Sequence, residues 1–188
     1  MKKVYLIRHA LPDFPKGEKM CLGTTDIPLG EAGLAQAREM ASQLPPVTAV
    51  FSSPLTRAVQ TALAIGLPLT VLDGLRELCY GEWDGLTFEE IRWKYPELYA
   101  ARGEDPTLPV PGQEDPKEGL ARFTTAMEQA ASLAPGDFAV VTHGGITAEF
   151  LRSLTGVLQK PGYTQVISLH SQNGVFSLAK DEKSSMPA

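Results

Sequence analysis

The chain has 188 residues, 43% hydrophobic and 21% charged, with a net charge of −5. That length suits a single domain, since chains of this size bury roughly 70% of the surface their unfolded form exposes. The acidic balance argues against a general binder of nucleic acid or of a membrane surface, although a local cluster of arginines can still receive an anionic substrate. Two cysteines, Cys21 and Cys79, make neither a disulfide framework nor a zinc set and read as free thiols. Lys2-Lys3 run directly into a short strand-like segment with no cleavage pattern after it, and no segment nears the roughly 20 apolar residues that cross a bilayer. The expected location is the cytoplasm.

In chain order, residues 3–8 read as a buried strand ended by a proline-containing loop over 9–30. A helix is expected over 31–44, with Leu34, Ala37, Ala41 and Leu44 on one face and Pro45-Pro46 as its stop. Residues 47–53 predict a second strand. The next helix has Ser53 as N-cap, Pro54 at its first position and Gly66 as terminator. "PLTVL" at 68–72 is a third strand. The stretch 73–116 is less regular, with a helix over "TFEEIRWKYPELYAA" interrupted near Pro96. Residues 117–133 predict a helix with a Leu120, Phe123, Met127 stripe facing inward. A strand at 137–143 and a helix at 145–156 follow. The chain then makes two strands joined by Asn173-Gly174, a hairpin signal. Residues 1–180 are expected to form one domain and 181–188 a polar tail. Alternating strands and helices predict an α/β three-layer sandwich: a mostly parallel central sheet, helices on both faces and an antiparallel edge strand.

Ligands of such sheets sit beyond the carboxyl ends of the strands, and those ends carry unusual residues. The first strand ends in Arg8-His9. The second ends in Ser52-Ser53-Pro54, with Arg57 on the following turn. The third is followed by Arg76 and Glu77. The strand at 137–143 ends in His143-Gly144-Gly145. If these strands are parallel, two imidazoles, at least two guanidiniums, a carboxylate and two helix N-termini share one rim. Phosphoryl transfer suits such a set. Arginine supplies fixed charge to phosphate oxygens in bidentate form, and a helix N-terminus adds N–H donors. With a loose transition state, catalysis is mostly positioning and electrostatics. A neutral imidazole can act as nucleophile, and adjacent arginines favour that neutral form.

Five stretches carry a resemblance over nearly the whole chain: "LIRHA" at 6–10, "GTTDIPLGEAG" at 23–33, "VFSSPLTRAVQTA" at 50–62, "LRELCYGEWDGLTFEEI" at 75–91 and "VVTHGGI" at 140–146. In order and spacing they resemble the histidine phosphatase superfamily, in its phosphoglycerate-mutase-like branch. The "HGG" form and the size are similar to small phosphatases such as α-ribazole-phosphate phosphatase. The resemblance implies that His9 is the phosphorylated nucleophile, that Arg8, Arg57, His143 and Gly144 bind the phosphate, and that Glu77 is proton donor and later base. The family's first motif usually continues Arg-His-Gly-x-Thr-x-x-Asn. Here those positions hold Ala10, Pro12 and Pro15, which removes a hydroxyl and an amide, each worth roughly 0.5–1.5 kcal/mol as a hydrogen bond.

The expected function is therefore a phosphomonoesterase that uses no metal or other cofactor and forms a phosphohistidine. Its partner is a small-molecule phosphate ester, and it is a monomer or homodimer. A phosphoglycerate-type mutase and a catalytically weak phosphate-binding module are the alternatives. A metallohydrolase using His9, His143, Asp13 and Glu77 is disfavoured, because arginines beside both histidines would repel a dication. His170 reads as structural. "EWDGLTFEE" reads as packing and helix-start chemistry.

Overall fold

The computed structural model describes residues 1–179, so the polar tail expected at 181–188 lies outside the described residues. One sheet has six strands: β1 (Lys2–Arg8), β2 (Ala49–Ser52), β3 (Leu69–Val71), β4 (Phe138–Thr142), β5 (Val166–Gln172) and β6 (Val175–Leu178), in the order β3-β2-β4-β1-β5-β6. The first four run parallel, β5 is antiparallel to β1, and β6 is antiparallel to β5. Among the described residues the helices are α1 (Glu31–Gln43), α2 (Thr56–Leu63), α3 (Phe88–Lys94), α4 (Pro96–Glu104), α5 (Pro116–Leu133) and α6 (Gly144–Thr155).

The alternation along β1 explains the layers. Val4 and Leu6 face one way and pack with Phe123 and Met127 of α5 and Phe150 of α6. Tyr5 and Ile7 face the other way and pack with Met40 of α1 and with Ala58 and Ala62 of α2. Covered on both sides, the strand is apolar throughout rather than at every second residue. The fold is thus the expected three-layer α/β sandwich. The hairpin turn also forms as expected, with Asn173 and Gly174 both at positive φ, 53° and 79°. Such a pair matches the twist of the flanking strands.

One local expectation fails. Ser53 does not cap α2 and Pro54 does not open it: the helix begins at Thr56, after Leu55. The amide and hydroxyl of Thr56 instead donate to Asp26, at 2.8 Å and 2.6 Å. The cap comes from 30 residues upstream, and Ser53 is left to face the sheet rim.

Because β1, β2 and β4 run the same way, their carboxyl ends share that rim. Strand β5 starts there, so the loop after α6 also arrives beside it: Thr164 N–H donates to the Arg8 carbonyl at 3.0 Å. The break at Pro96 falls where it was expected, between α3 and α4. Ile91 of α3 packs with Trp83 and Val110, with Tyr95 and Tyr99 alongside, in a small apolar cluster separate from the two main cores.

Candidate active site

His9 follows β1 directly and is 5% exposed. Its amide donates to the Thr142 carbonyl of β4 at 2.8 Å, which locks the residue to the sheet. Ring Nδ1 lies 2.7 Å from the Ala10 carbonyl. Only an N–H can satisfy a carbonyl, so Nδ1 carries the proton and Nε2 keeps its lone pair. Ala10 sits at negative φ, so its Cβ in place of the family's glycine carries no backbone strain.

His143 caps the N-terminus of α6 and is fully buried. Its ring lies 5.1 Å from that of His9, tilted by 59°. Nε2 shares a 2.7 Å hydrogen bond with Ser53 Oγ. Arg57, on the first turn of α2, is also fully buried. Its two terminal nitrogens donate to the carbonyls of Thr25 and Gly23, each at 2.8 Å. Arg8 donates to the Pro161 carbonyl at 2.7 Å and stacks on Tyr163, 3.9 Å from the ring centroid.

Those anchors leave specific atoms free. Among the described residues, five buried side-chain nitrogen and oxygen atoms have no partner, and three of them are Arg8 Nε, Arg57 Nε and His143 Nδ1. Leaving a buried donor unpaired costs about 1–3 kcal/mol, more for a charged group. The fold concentrates that cost in the residues gathered around His9.

Glu77 is 3% exposed and meets the start of α6. Oε1 accepts from Leu78 N–H at 3.0 Å and Ile146 N–H at 2.7 Å, and Oε2 accepts from Gly145 N–H at 2.8 Å. A carboxylate at a helix N-terminus satisfies amides that have no partner within the helix. Arg122 of α5 fixes the turn that carries Glu77, donating to the carbonyls of Gly74 at 2.8 Å and Arg76 at 2.9 Å. Arg76 points elsewhere, to Asp73 at 2.5 Å and Glu114 at 3.9 Å. Close packing of Tyr80 and the buried Glu77 requires glycine at 145, whereas the nearest atom beside Gly144 is the flexible end of Lys160. A Cβ on Gly144 would lie 2.5 Å from Lys160 Cε, and one on Gly145 would lie 2.0 Å from Tyr80 Oη.

Electrostatics follow from burial beside cations. The His9 imidazole is held well below its usual 6.5, first by burial, then by Arg57, with Arg8 and Lys160 adding and the Ala10 carbonyl opposing. His143 is lowered in the same way, by burial and then Arg57. Both rings are therefore neutral near pH 7. Burial also lowers the two arginines, partly offset by Glu77, but guanidinium keeps its proton throughout the working range.

The structure brings Arg8, His9, Arg57, Glu77, His143 and Gly144 to one rim, as their positions at strand ends suggested. A cavity of about 270 Å³ opens there, lined by Arg8, His9, Glu77, Gly144, Lys160 and Tyr163. Lys160 and Tyr163 were not foreseen: they lie in the loop before β5, and only the antiparallel return of that strand brings them in. Ser53 was expected at the rim as a strand-end residue and helix cap, but not as the partner of His143. Pro12, at the position of the family's threonine, is buried and pairs with Leu29. Asp13 is exposed and packs on Gly30. Among the described residues no three His, Cys, Asp or Glu side chains gather as a metal set, and no helix is long and apolar enough to cross a membrane. Cys21 and Cys79 are unbridged, and burial pushes the Cys21 thiol up to about 12. His170 lies within β5, paired with Lys3 and Ser177.

An α/β sandwich that collects two neutral imidazoles, two buried guanidiniums and a carboxylate at its carboxyl rim defines a class of phosphate-handling proteins. Comparison with known sequences assigns the class: residues 4–179 match the histidine phosphatase superfamily, branch 1. The chain belongs to that family. It is 30% identical over 180 residues to a Hydrogenobacter thermophilus protein provisionally named phosphoserine phosphatase 2, covering 92% of this chain and 86% of that one. The solved structure of a mycobacterial glucosyl-3-phosphoglycerate phosphatase with VO3 is 27% identical, covers 95% of this chain and 98% of its own, and superposes with a TM-score of 0.81. The α-ribazole phosphatase of Shigella flexneri, 19% identical with 94% of each chain covered and a TM-score of 0.77, shares the fold.

Proposed function

We propose that the chain is a cytoplasmic, metal-independent phosphomonoesterase that acts through a phosphohistidine on a small phosphorylated metabolite. The observation that carries this reading is the set of unpartnered buried nitrogens, Arg8 Nε, Arg57 Nε and His143 Nδ1, around a neutral His9 whose Nε2 is free. Relatives named as phosphatases support it.

In the first step His9 Nε2 attacks phosphorus in line with the leaving oxygen. The P–O ester bond breaks, and Glu77 gives a proton to the departing alkoxide. Arg8, Arg57 and His143 hold the non-bridging oxygens, whose charge rises in the transition state. In the second step Glu77 takes a proton from water, which attacks the phosphohistidine and regenerates free His9 and inorganic phosphate. The guanidiniums and the imidazole supply the charge stabilisation for which other phosphatases use metal ions.

The test is to trap the intermediate. Wild-type protein turning over p-nitrophenyl phosphate and quenched in alkaline detergent should yield a phosphoenzyme that is stable to alkali and labile to acid. His9→Ala should yield none and fold normally. Activity should survive exhaustive EDTA dialysis. Retention of more than a few per cent of activity in His9→Ala, or loss on chelation restored by zinc or magnesium, would overturn the mechanism.

A further inference from the structure

Beside the phosphate pocket lies a second cavity of about 410 Å³. The two share a wall made of Met20, Leu22, Phe88 and Lys160. Any group bonded to a phosphate at His9 that leaves past this wall enters the second cavity. Its size falls in the range that holds drug-sized ligands, about 300–1,000 Å³, and far exceeds what the alcohol of phosphoserine needs.

The lining has a definite chemistry. Trp83 and Leu158 extend the apolar wall. Phe88 stays 45% exposed although it stands at the junction of the two cavities. An aromatic side chain left open at a binding site calls for an apolar cover. The cations divide into two kinds. Arg152 is neutralised by Glu149 at 2.5 Å. Arg102 and Lys160 have no carboxylate within 4.0 Å among the described residues. Arg102 is held in place by the Leu108 carbonyl and lies over Trp83, 5.3 Å from the ring centroid. Asp105 feels the charge of Arg102 without pairing with it, and a guanidinium held at a cavity wall with no carboxylate in contact is a receptor for one.

We infer that the alcohol part of the substrate is an apolar, aromatic-sized body that carries its own carboxylate, with the body between Phe88 and Trp83 and the carboxylate on Arg102. The inference rests on the reading of the smaller pocket as the phosphate site. It separates this chain from enzymes for phosphoserine, whose alcohol is too small for the cavity.

The experiment compares kcat/KM for O-phosphoserine, 3-phenylpropyl phosphate and 3-(4-carboxyphenyl)propyl phosphate. All three leave as alkoxides, so leaving-group chemistry does not set the order. The phenylpropyl ester should exceed phosphoserine by roughly tenfold or more, the scale of a few buried methylenes, and the carboxylate should add about another tenfold. Phe88→Ala should lower the phenylpropyl-to-phosphoserine ratio about tenfold. Arg102→Met should abolish the gain from the carboxylate, and Arg102→Lys should keep part of it, which covers the case of a poorly folded Met variant. A preference for phosphoserine, or variants that slow all three esters equally, would overturn the inference. A reversed order with phosphoenzyme trapped overturns the inference alone. The expected order without any phosphoenzyme overturns the phosphohistidine mechanism alone.

Discussion

Asp84 and Arg57 share no hydrogen bond, yet the carboxylate of one sets the position of the other's guanidinium. Asp84 accepts from the amides of Gly23 at 3.0 Å, Thr24 at 2.6 Å and Thr25 at 3.1 Å, and from the Thr24 hydroxyl at 2.7 Å. The loop so held turns its carbonyls at Gly23 and Thr25 onto Arg57. Burial would push the Asp84 carboxyl up, but the bonds from Thr24, Gly23 and Thr25 outweigh it and hold the group below its usual 3.8. With four donors on two oxygens it is a tether for the loop and has no capacity left for acid catalysis.

Asp84→Ala should therefore act through Arg57. A loosened phosphate clamp weakens recognition of the transferring group, so vanadate affinity and kcat/KM should fall together, by about 10²-fold. Asp84→Asn, which keeps one acceptor oxygen, should recover part of both. A thermal shift alone, with vanadate affinity unchanged, would reduce Asp84 to a structural role. The stretch "EWDGLTFEE" read as packing and helix-start chemistry. Thr87 and Glu90 do form the capping box of α3, but Asp84 holds the loop whose carbonyls meet Arg57.

Gly145 tests the close packing behind Glu77. A Cβ there would meet Tyr80 Oη at 2.0 Å and Glu77 Oε1 at 2.9 Å. Gly145→Ala should destabilise the protein by about 1–3 kcal/mol, the usual cost of overpacking, and reduce turnover by displacing Glu77. Gly103 in α4 has no atom within 4 Å of the corresponding position. Gly103→Ala should stabilise by roughly 0.5–1 kcal/mol, the helix preference for alanine. Urea melts of the two variants should move in opposite directions.

The buried imidazoles make stability depend on pH. In the unfolded chain His9 and His143 titrate near 6.5, and in the folded protein both are held well below it. Above pH 6.5 both states keep them neutral and this contribution is fully present. As pH falls below 6.5 the unfolded chain takes up protons that the folded chain refuses, so stability is lost down to the folded-state values. The slope is up to about 1.4 kcal/mol per pH unit for each histidine. Melting temperature should fall steadily from pH 6.5 to 5, and His9→Ala should show about half that slope. A flat profile would mean that the rings take up protons in the fold as readily as in the unfolded chain.

What the sequence made legible is what local pattern can carry. The all-apolar β1 followed by Arg8-His9, the breaks at Pro96 and Asn173-Gly174, and the strand ends that hold Arg57, Glu77 and His143 are all local signals. What it hid are contacts across the chain. Asp26 caps Thr56 from 30 residues away, Ser53 meets His143 across 90, and Glu77 reaches Ile146 across 69. Lys160 enters because β5 returns antiparallel beside β1, a pairing that no window of sequence around Lys160 contains.

Glu77 gives the sharpest test of the mechanism. Its three backbone donors fix the carboxyl geometry, and Gln at this position would turn an NH2 toward an amide N–H. Glu77→Gln should thus lose about 1–3 kcal/mol of stability from one unpaired buried donor and still fold. Its effect on catalysis should depend on the leaving group. p-Nitrophenolate needs little protonation, so the variant should still phosphorylate His9 from p-nitrophenyl phosphate. Hydrolysis of the phosphohistidine would lack its base. A burst of nitrophenol close to one equivalent should appear, then slow turnover, with acid-labile phosphoenzyme that is absent from His9→Ala. An alkyl phosphate leaves as a poor alkoxide, so its first step should slow by about 10²–10⁴-fold and show no burst. Equal losses on both esters with no trapped phosphoenzyme would remove Glu77 from the chemistry and leave it as a clamp on the start of α6. The acid would then have to reach the pocket from elsewhere, since Asp84 is fully bonded and Asp13 packs against Gly30 on the surface.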